Sequence, residues 1–275
     1  MRQAFRIGTL LAAGVMLAAC TSTTERYADY TASLQANEKL RTDVDPADAP
    51  FDGGDLERNF VKIAMFSEYD EDLNAVPTET TLRRWEEPIR YRFIGKGVTA
   101  DDRRQMRELS LRMTRLMGLK VEPIAKDANL LIMYLDAEER AEFNESAAEK
   151  WGEDFAEFNE RCASSWKFPC IGRLFRKDSG EIALGLVFIK SEIEGLFRES
   201  CLHEEVIQSM GLTNDDPDVR PSIFNDDEEF ALLTRHDEYL LQMLYDQRLK
   251  PGMSVEEVKP LLPEVVEDLL ARNAS

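Results

Sequence analysis

The sequence has few of the residues on which many catalytic and metal sites depend. Its 275 residues include only two histidines and four cysteines. Two imidazoles cannot supply the three histidine ligands of a common zinc-enzyme site, and four cysteines are too few for a disulfide-dense scaffold. A metal or catalytic site in this chain must therefore depend mainly on carboxylate, amide or hydroxyl groups.

Basic residues are scarce in proportion to acidic ones. The chain has 34 Lys and Arg against 53 Asp and Glu, which gives a formal net charge of −19. A nucleic-acid-binding protein needs a basic surface that displaces counterions from phosphates, and no cluster of Lys and Arg here is dense enough. We therefore expect no nucleic-acid partner. Hydrophobic residues make up 43% of the chain, which is sufficient for a globular core.

The N-terminus has the pattern of an export signal. Residues 1–19 begin with Arg2 and Arg6, and the apolar run that follows is too short to span a bilayer as a helix. The run ends in Leu17-Ala18-Ala19-Cys20, which resembles the lipobox of bacterial lipoproteins. In that motif, cleavage leaves the cysteine as a lipid-modified N-terminal residue. The sequence thus predicts a signal peptide over residues 1–19 and lipidation of Cys20.

This resemblance implies a protein attached through a lipid anchor to a membrane, on the periplasmic side of the envelope. Thr21 follows the cysteine where Asp would indicate inner-membrane retention, so the outer membrane is favoured. Residues 20–54 are polar and end in two glycines. We expect them to form a flexible tether with a reach of roughly 30 Å. A single globular domain is predicted over residues 55–275.

Three cysteines remain for an oxidising compartment once Cys20 is assigned to lipid, so one thiol stays unpaired. The preferred disulfide joins Cys170 to Cys201, because it would connect the start of a predicted hairpin to the helix that follows. A bond between Cys162 and Cys170 is the alternative.

Hydrophobic periodicity and turn residues predict an α+β fold. In chain order, the predicted elements are a helix over residues 55–69, a strand over 88–95, a helix over 99–117, a buried strand over 128–135, a hairpin with strands over 172–176 and 181–190, a central helix over 193–210 and a last helix over 234–245. The acidic segment 137–160 is interpreted as a helical or irregular insertion.

The central helix carries the most informative motif, Glu204-Glu205-x-x-Gln208-x-x-Gly211-x-x-Asn214. Residues four apart on an α-helix lie about 40° apart around its axis, so Glu204 and Gln208 can face one point. The spacing resembles the H-E-x-x-H-x-x-G-x-x-H/D motif of the metzincin zinc peptidases. Glycine and the base position, Glu205, match that motif, whereas the three ligand positions have changed to Glu204, Gln208 and Asn214.

Two later segments extend the resemblance. Ser222-Ile223-Phe224 resembles the methionine-containing turn of metzincins, with Phe224 in place of Met. The segment from Leu233 to Tyr245 resembles their last helix. The resemblance covers roughly residues 85–247 and implies a zincin-like core with a mixed sheet, a central active-site-type helix and a C-terminal helix. The whole pattern also resembles a family of proteobacterial envelope lipoproteins without an assigned activity, whose central helix reads E-E-x-x-Q-x-x-G-L-x-N-D.

The residues at the three ligand positions are unsuited to zinc. Gln208 and Asn214 offer neutral amide oxygens, whereas zinc peptidases use imidazole or thiolate ligands. His203 lies about 100° around the helix from Glu204 and cannot replace a ligand. We therefore expect no zinc cofactor, although Ca²⁺ or Mg²⁺ would suit one carboxylate and two amides better. Further acids that would support such an ion follow the helix: Asp215, Asp216, Asp218, Asp226 and Asp227.

The favoured interpretation of the motif is structural, with the Gln208 amide donating a hydrogen bond to a carboxylate. It predicts a pseudopeptidase that binds a peptide or protein partner in the envelope. The hairpin strand over residues 182–189 is the predicted edge strand that would accept an extended peptide. An atypical envelope hydrolase with Glu205 as general base is the alternative function, and a structural or assembly factor is a third.

Overall fold

The computed structural model describes residues 22–68, 77–225 and 227–274. The predicted signal peptide and Cys20 lie outside these residues. The helices in the described ranges are α1 (Thr23–Ala36), α2 (Gly53–Ala64), α3 (Ala100–Met117), α4 (Ala137–Trp151), α5 (Glu153–Ser164), α6 (Gly195–Gln208), α7 (Arg235–Leu244), α8 (Val255–Val258) and α9 (Leu262–Asn273). Within these ranges, no helix combines the length and the apolar character needed to cross a bilayer.

The strands form a two-stranded ribbon and a five-stranded mixed sheet. They are β1 (Phe66–Ser67), β2 (Thr78–Glu79), β3 (Ile89–Ile94), β4 (Val121–Pro123), β5 (Leu130–Leu135), β6 (Cys170–Arg176) and β7 (Ile182–Lys190). The sheet order is β4-β3-β5-β7-β6, and β6 is the antiparallel strand at one edge. The predicted α+β class is confirmed.

The hairpin places its two strands differently from the prediction. The segment expected to be an exposed edge is β7, which pairs with β5 on one side and β6 on the other. Its backbone groups are therefore already paired, and the prediction that residues 182–189 form an open edge strand is wrong. The open edge of the sheet on this side belongs to β6. Among the described strands, β6 pairs with β7 alone.

Both faces of the sheet are covered. Alternate residues of a strand point to opposite faces. In β5, Ile132 and Tyr134 belong to the main core, whereas Met133 and Leu135 pack with Ala147 of α4 in a second cluster. The acidic insertion thus forms two helices, and α4 shields the second face. This double cover explains the nearly continuous apolar run of β5.

Helix α6 is held in place by buried polar contacts as well as by the core. Arg198 of α6 forms two hydrogen bonds with the carboxylate of Asp102 in α3, at 2.7 and 2.8 Å. At the other end, the Trp85 indole N–H donates to the Ser209 carbonyl at 2.8 Å. The buried charges of Arg198 and Asp102 satisfy each other, and this ion pair fixes the position of α6 against α3.

Residues 23–36 form helix α1, so the predicted flexible tether is wrong for the described part of residues 20–54. Tyr27 is only 2% exposed, and its hydroxyl donates to the Trp166 carbonyl at 2.8 Å. The ring of Tyr30 lies edge-on to Phe197 of α6, with centroids 5.4 Å apart. Two aromatic residues one turn apart therefore dock a helix whose other side chains are largely polar, which composition alone did not indicate.

Candidate functional site

A cleft of about 470 Å³ opens along the free edge of β6. One side is formed by residues 67–68 and 78–80 of the two-stranded ribbon, and another by residues 167–174. Helix α6 contributes Glu204, Glu205 and Gln208. This volume is in the range of small-molecule and peptide sites. The cleft thus contains the residues that the sequence motif singles out.

Glu205 is the most unusual side chain of the cleft. It is only 5% exposed, and its Oε2 atom has no hydrogen-bond partner within the described ranges. Burial raises the pKa of Glu205 well above its ordinary value, and the nearby carboxylates of Glu68 and Asp215 raise it further. The backbone N–H of Gly172 acts in the opposite direction. Glu205 therefore retains a proton at higher pH than an exposed glutamate does.

Glu204 has the same electrostatic environment. Burial raises its pKa well above the ordinary value, and the carboxylates of Glu228, Asp215 and Glu205 add to the effect. We call Glu68, Glu204, Glu205, Asp215 and Glu228 the acidic cluster. Two adjacent carboxyls with raised pKa values in a cleft, Glu204 and Glu205, are typical of a functional site.

Gln208 lies beside Glu204 in the cleft, as the four-residue spacing predicts. Asn214 does not line the cleft. The Gln208 side-chain amide donates to Asp215 Oδ1 at 2.9 Å. Asn214 is buried, and its amide donates to the Lys62 carbonyl in α2 at 3.0 Å. The three positions that the motif aligns with metal ligands therefore do not converge, and the amides present do not fit a zinc ion. Throughout the described ranges, no three His, Cys, Asp or Glu side chains are arranged to hold a metal.

The acids that follow α6 are mostly engaged elsewhere. Lys62 forms ion pairs with Asp216 at 2.8 Å and with Asp218 at 3.1 Å. Asp227 pairs with Lys39 at 2.5 Å. Asp226 lies outside the described residues. Of the acids proposed to support Ca²⁺ or Mg²⁺, Asp215 is the one that lines the cleft.

Neither histidine lines the cleft. His203 Nδ1 accepts a hydrogen bond from the Leu233 N–H at 3.2 Å. Burial lowers the pKa of His203 to about 4, so it is neutral at physiological pH. His236 is fully buried, with Nε2 3.0 Å from the Asn59 amide nitrogen. Both rings therefore stabilise the fold, and His203 accepts a hydrogen bond instead of donating one.

The turn that resembles the metzincin methionine turn is anchored to α7. Ser222 Oγ donates to one carboxylate oxygen of Asp237 at 2.5 Å, and the Ile223 N–H donates to the other at 3.2 Å. Phe224 is fully buried and does not line the cleft.

The glycine of the central motif has a packing role, since a Cβ at Gly211 would lie 2.1 Å from the Arg83 carbonyl oxygen.

The sequence motif did not reveal the basic residues of the cleft. Arg83, Arg173 and Arg176 line it, together with Lys167. The Nε atom of Arg83 is buried without a hydrogen-bond partner among the described residues. Burial and, to a smaller extent, the positive charges of Arg176 and Arg173 lower the pKa of Arg83 to about 10. Two arginines three residues apart on an edge strand were a weak signal, and only the fold brings Arg83 to them.

A disulfide ties the edge strand to the central helix. Cys170, the first residue of β6, is bonded to Cys201 of α6, with Cα atoms 5.8 Å apart. The preferred pairing is confirmed, and Cys162 is a buried free thiol. The bond holds one wall of the cleft against the helix that carries Glu204 and Glu205.

Gly172 allows the Glu205 carboxylate to approach the backbone of β6. A Cβ at this position would lie 2.9 Å from Glu205 Oε2. We expect Gly172→Ala to lower the free energy of unfolding by about 1 kcal/mol, because it overpacks a buried contact. Urea denaturation followed by circular dichroism measures the change. Gly54→Ala is the control, since the nearest atoms there belong to polar side chains at 3.1 and 3.3 Å. Equal stability of both variants would contradict the expectation.

Comparison with known proteins gives one family match. The sequence profile of the family described as "Protein of unknown function (DUF2927)" matches residues 54–264. The chain belongs to this family. The matched DUF2927 region runs from α2 to the start of α9 and includes every residue of the cleft and of the central motif. No curated protein and no solved structure gives a significant match. The cleft geometry is therefore the main basis for assigning a function.

Proposed function

We propose that this DUF2927 protein is an exported lipoprotein, anchored through Cys20 on the periplasmic side of the outer membrane, whose cleft binds an extended peptide or protein segment. The observation that carries the proposal is the open edge of β6 beside the buried, unpartnered carboxyl oxygen of Glu205. An edge strand can pair with an added strand through main-chain hydrogen bonds. A buried polar atom without a partner is the kind of group that a ligand satisfies.

Charge segregation in the cleft indicates what kind of peptide binds. The acidic cluster would attract an ammonium or guanidinium group, and the arginines would attract a carboxylate. The two groups come from different elements, with Glu204 and Glu205 on α6 and Arg173 and Arg176 on β6. The ligand is thus a peptide with both a cationic and an anionic group.

The α+β core is proposed to be metzincin-like, with the zinc-binding side chains replaced.

The proposal predicts saturable binding of a fluorescently labelled pentapeptide that carries one lysine and a free C-terminal carboxylate. Fluorescence anisotropy should show about tenfold weaker binding for Glu204→Gln and for Arg176→Glu, because each change removes a charge-assisted hydrogen bond. Lys120→Glu is the control, since Lys120 is exposed and does not line the cleft. Absence of saturable binding for peptides of varied charge would refute the peptide-binding function.

An envelope hydrolase that uses Glu205 remains the second candidate function. It is favoured by the raised pKa of this carboxyl, because a general acid or base works best with a pKa near the operating pH. Mass spectrometry of peptides incubated with the wild type and with Glu205→Gln separates the two functions. Hydrolysis products that disappear in the variant would support the hydrolase, and intact peptide in both samples would support binding alone.

A further inference from the structure

The described fold begins very close to the proposed lipid anchor. Only Thr21 separates Cys20 from Ser22, which caps the N-terminus of α1. An extended chain spans at most about 3.6 Å per residue, so the Cα atoms of Cys20 and Ser22 lie within roughly 7 Å of each other. A lipidated Cys20 would therefore hold the start of α1 at the membrane surface.

Helix α1 is attached to the folded domain along its length. The Tyr27 hydroxyl is bonded to the Trp166 carbonyl, and Tyr30 packs on Phe197. After the helix, the N–H groups of Leu40 and Arg41 donate to the carbonyls of Glu228 and Glu229, at 2.8 and 2.7 Å. The domain thus cannot move away from the membrane unless these contacts break.

Two basic side chains flank an exposed tryptophan beside the start of α1. Trp166 is 38% exposed, and the Arg26 guanidinium lies 5.6 Å from the centre of its ring. Arg26 and the neighbouring Lys167 are also exposed. Tryptophan and basic side chains favour the headgroup region of a bilayer. We call Arg26, Trp166 and Lys167 the basic aromatic patch.

The patch is continuous with the cleft. Lys167 belongs to both, and the next residues, Phe168 and Pro169, also line the cleft. The Cys170–Cys201 disulfide then fixes the end of this loop to α6. We propose that the basic aromatic patch rests on the phospholipid surface and holds this end of the cleft beside the bilayer. The inference depends on the lipid anchor of the proposed function.

Net charge supports this orientation. The chain carries a formal charge of −19, and anionic lipids repel acidic surfaces. The separation set by the anchor is comparable with the Debye length of about 8 to 10 Å at physiological salt, so this repulsion is not fully screened. Arg26 and Lys167 place two positive charges beside Trp166, and the nearby Glu25 carboxylate is bonded within the Ser22 capping box.

Quenching of tryptophan fluorescence by brominated lipids tests the inference. The lipidated full-length protein is reconstituted in vesicles of brominated phosphatidylethanolamine and phosphatidylglycerol. We expect quenching of the wild type and loss of most of it in Trp166→Phe, which keeps an aromatic ring beside Tyr30. Both proteins carry Trp151→Phe, so the tryptophan they share is Trp85, which is only 1% exposed.

A second variant tests the short connection. Insertion of about twenty Gly and Ser residues between Thr21 and Ser22 gives a reach of about 25 Å and should reduce quenching towards the level of Trp166→Phe. Vesicle-bound protein with equal quenching of the wild type and Trp166→Phe would overturn the orientation while leaving the lipid anchor intact. Recovery of the protein without acyl chains by mass spectrometry would overturn both. Peptide binding to the cleft is measured separately and is unaffected by either result.

Discussion

Replacement of both Cys170 and Cys201 by alanine should lower the free energy of unfolding by about 3 to 4 kcal/mol. The bond closes a loop with a sequence separation of 31, and its loss restores conformational freedom mainly to the unfolded chain. Equilibrium urea denaturation measures the difference. The effect is expected to be large because β6 pairs with only one neighbouring strand, and the disulfide links it covalently to α6.

Cys162→Ala provides the matched control for this prediction. Cys162 is buried but unbonded, so its truncation should cost about 1 kcal/mol through lost packing. A double variant whose stability lies within 1 kcal/mol of the wild type would show that other contacts hold β6 on α6. The same variant should also bind the labelled pentapeptide more weakly, since the edge strand is one wall of the cleft.

Glu205→Gln should raise the free energy of unfolding by about 2 kcal/mol at pH 8. Burial and the neighbouring carboxylates raise the pKa of Glu205 in the folded state above its ordinary value of 4.5. A carboxyl of this kind contributes stability below its unfolded pKa and loses that contribution as the pH rises through its folded pKa. The neutral amide avoids the loss, and its carbonyl oxygen can still accept the Gly172 N–H.

The pH dependence distinguishes this explanation from a general effect of the substitution. The difference between Glu205→Gln and the wild type should shrink towards zero near pH 4.5, where the carboxyl is already protonated. Glu108→Gln is the control, because Glu108 is exposed on α3, and it should change stability by less than about 0.5 kcal/mol at any pH. If Glu205→Gln were instead less stable than the wild type at pH 8, the ionised carboxylate would have to be well solvated or paired.

Local patterns were sufficient for most elements of the core. The Thr99 capping box and Gly118 define α3, which runs over Ala100–Met117, close to the predicted 99–117. The alternation of β3 and the turn before β7 also predicted the correct elements, because these signals involve residues near each other in the chain. By contrast, α1 and α9 were not predicted. The burial of Tyr27 depends on Trp166 and that of Val265 on the rest of the core, which lie far away in sequence.

The candidate site was predicted only in part for the same reason. Helical geometry was enough to place Glu204 and Gln208 together, since both belong to one helix. The direction in which the Asn214 side chain points could not be predicted, because Asn214 lies beyond the end of the helix at Gly211. In the structure this side chain points to α2. The arginine side of the cleft comes from β6 and from Arg83, more than 80 residues apart, and no local pattern joins them.

The amino-acid sequence alone determined the α+β class and the position of an acidic motif on the central helix, because each follows from short-range periodicity. It favoured the Cys170–Cys201 disulfide over Cys162–Cys170, and the structure decided between the two. Tertiary structure decided which hairpin strand is open, that α1 packs on the domain, and that Glu205 is buried among other carboxylates. These properties depend on burial and on contacts between distant segments, which exist only once the chain has folded.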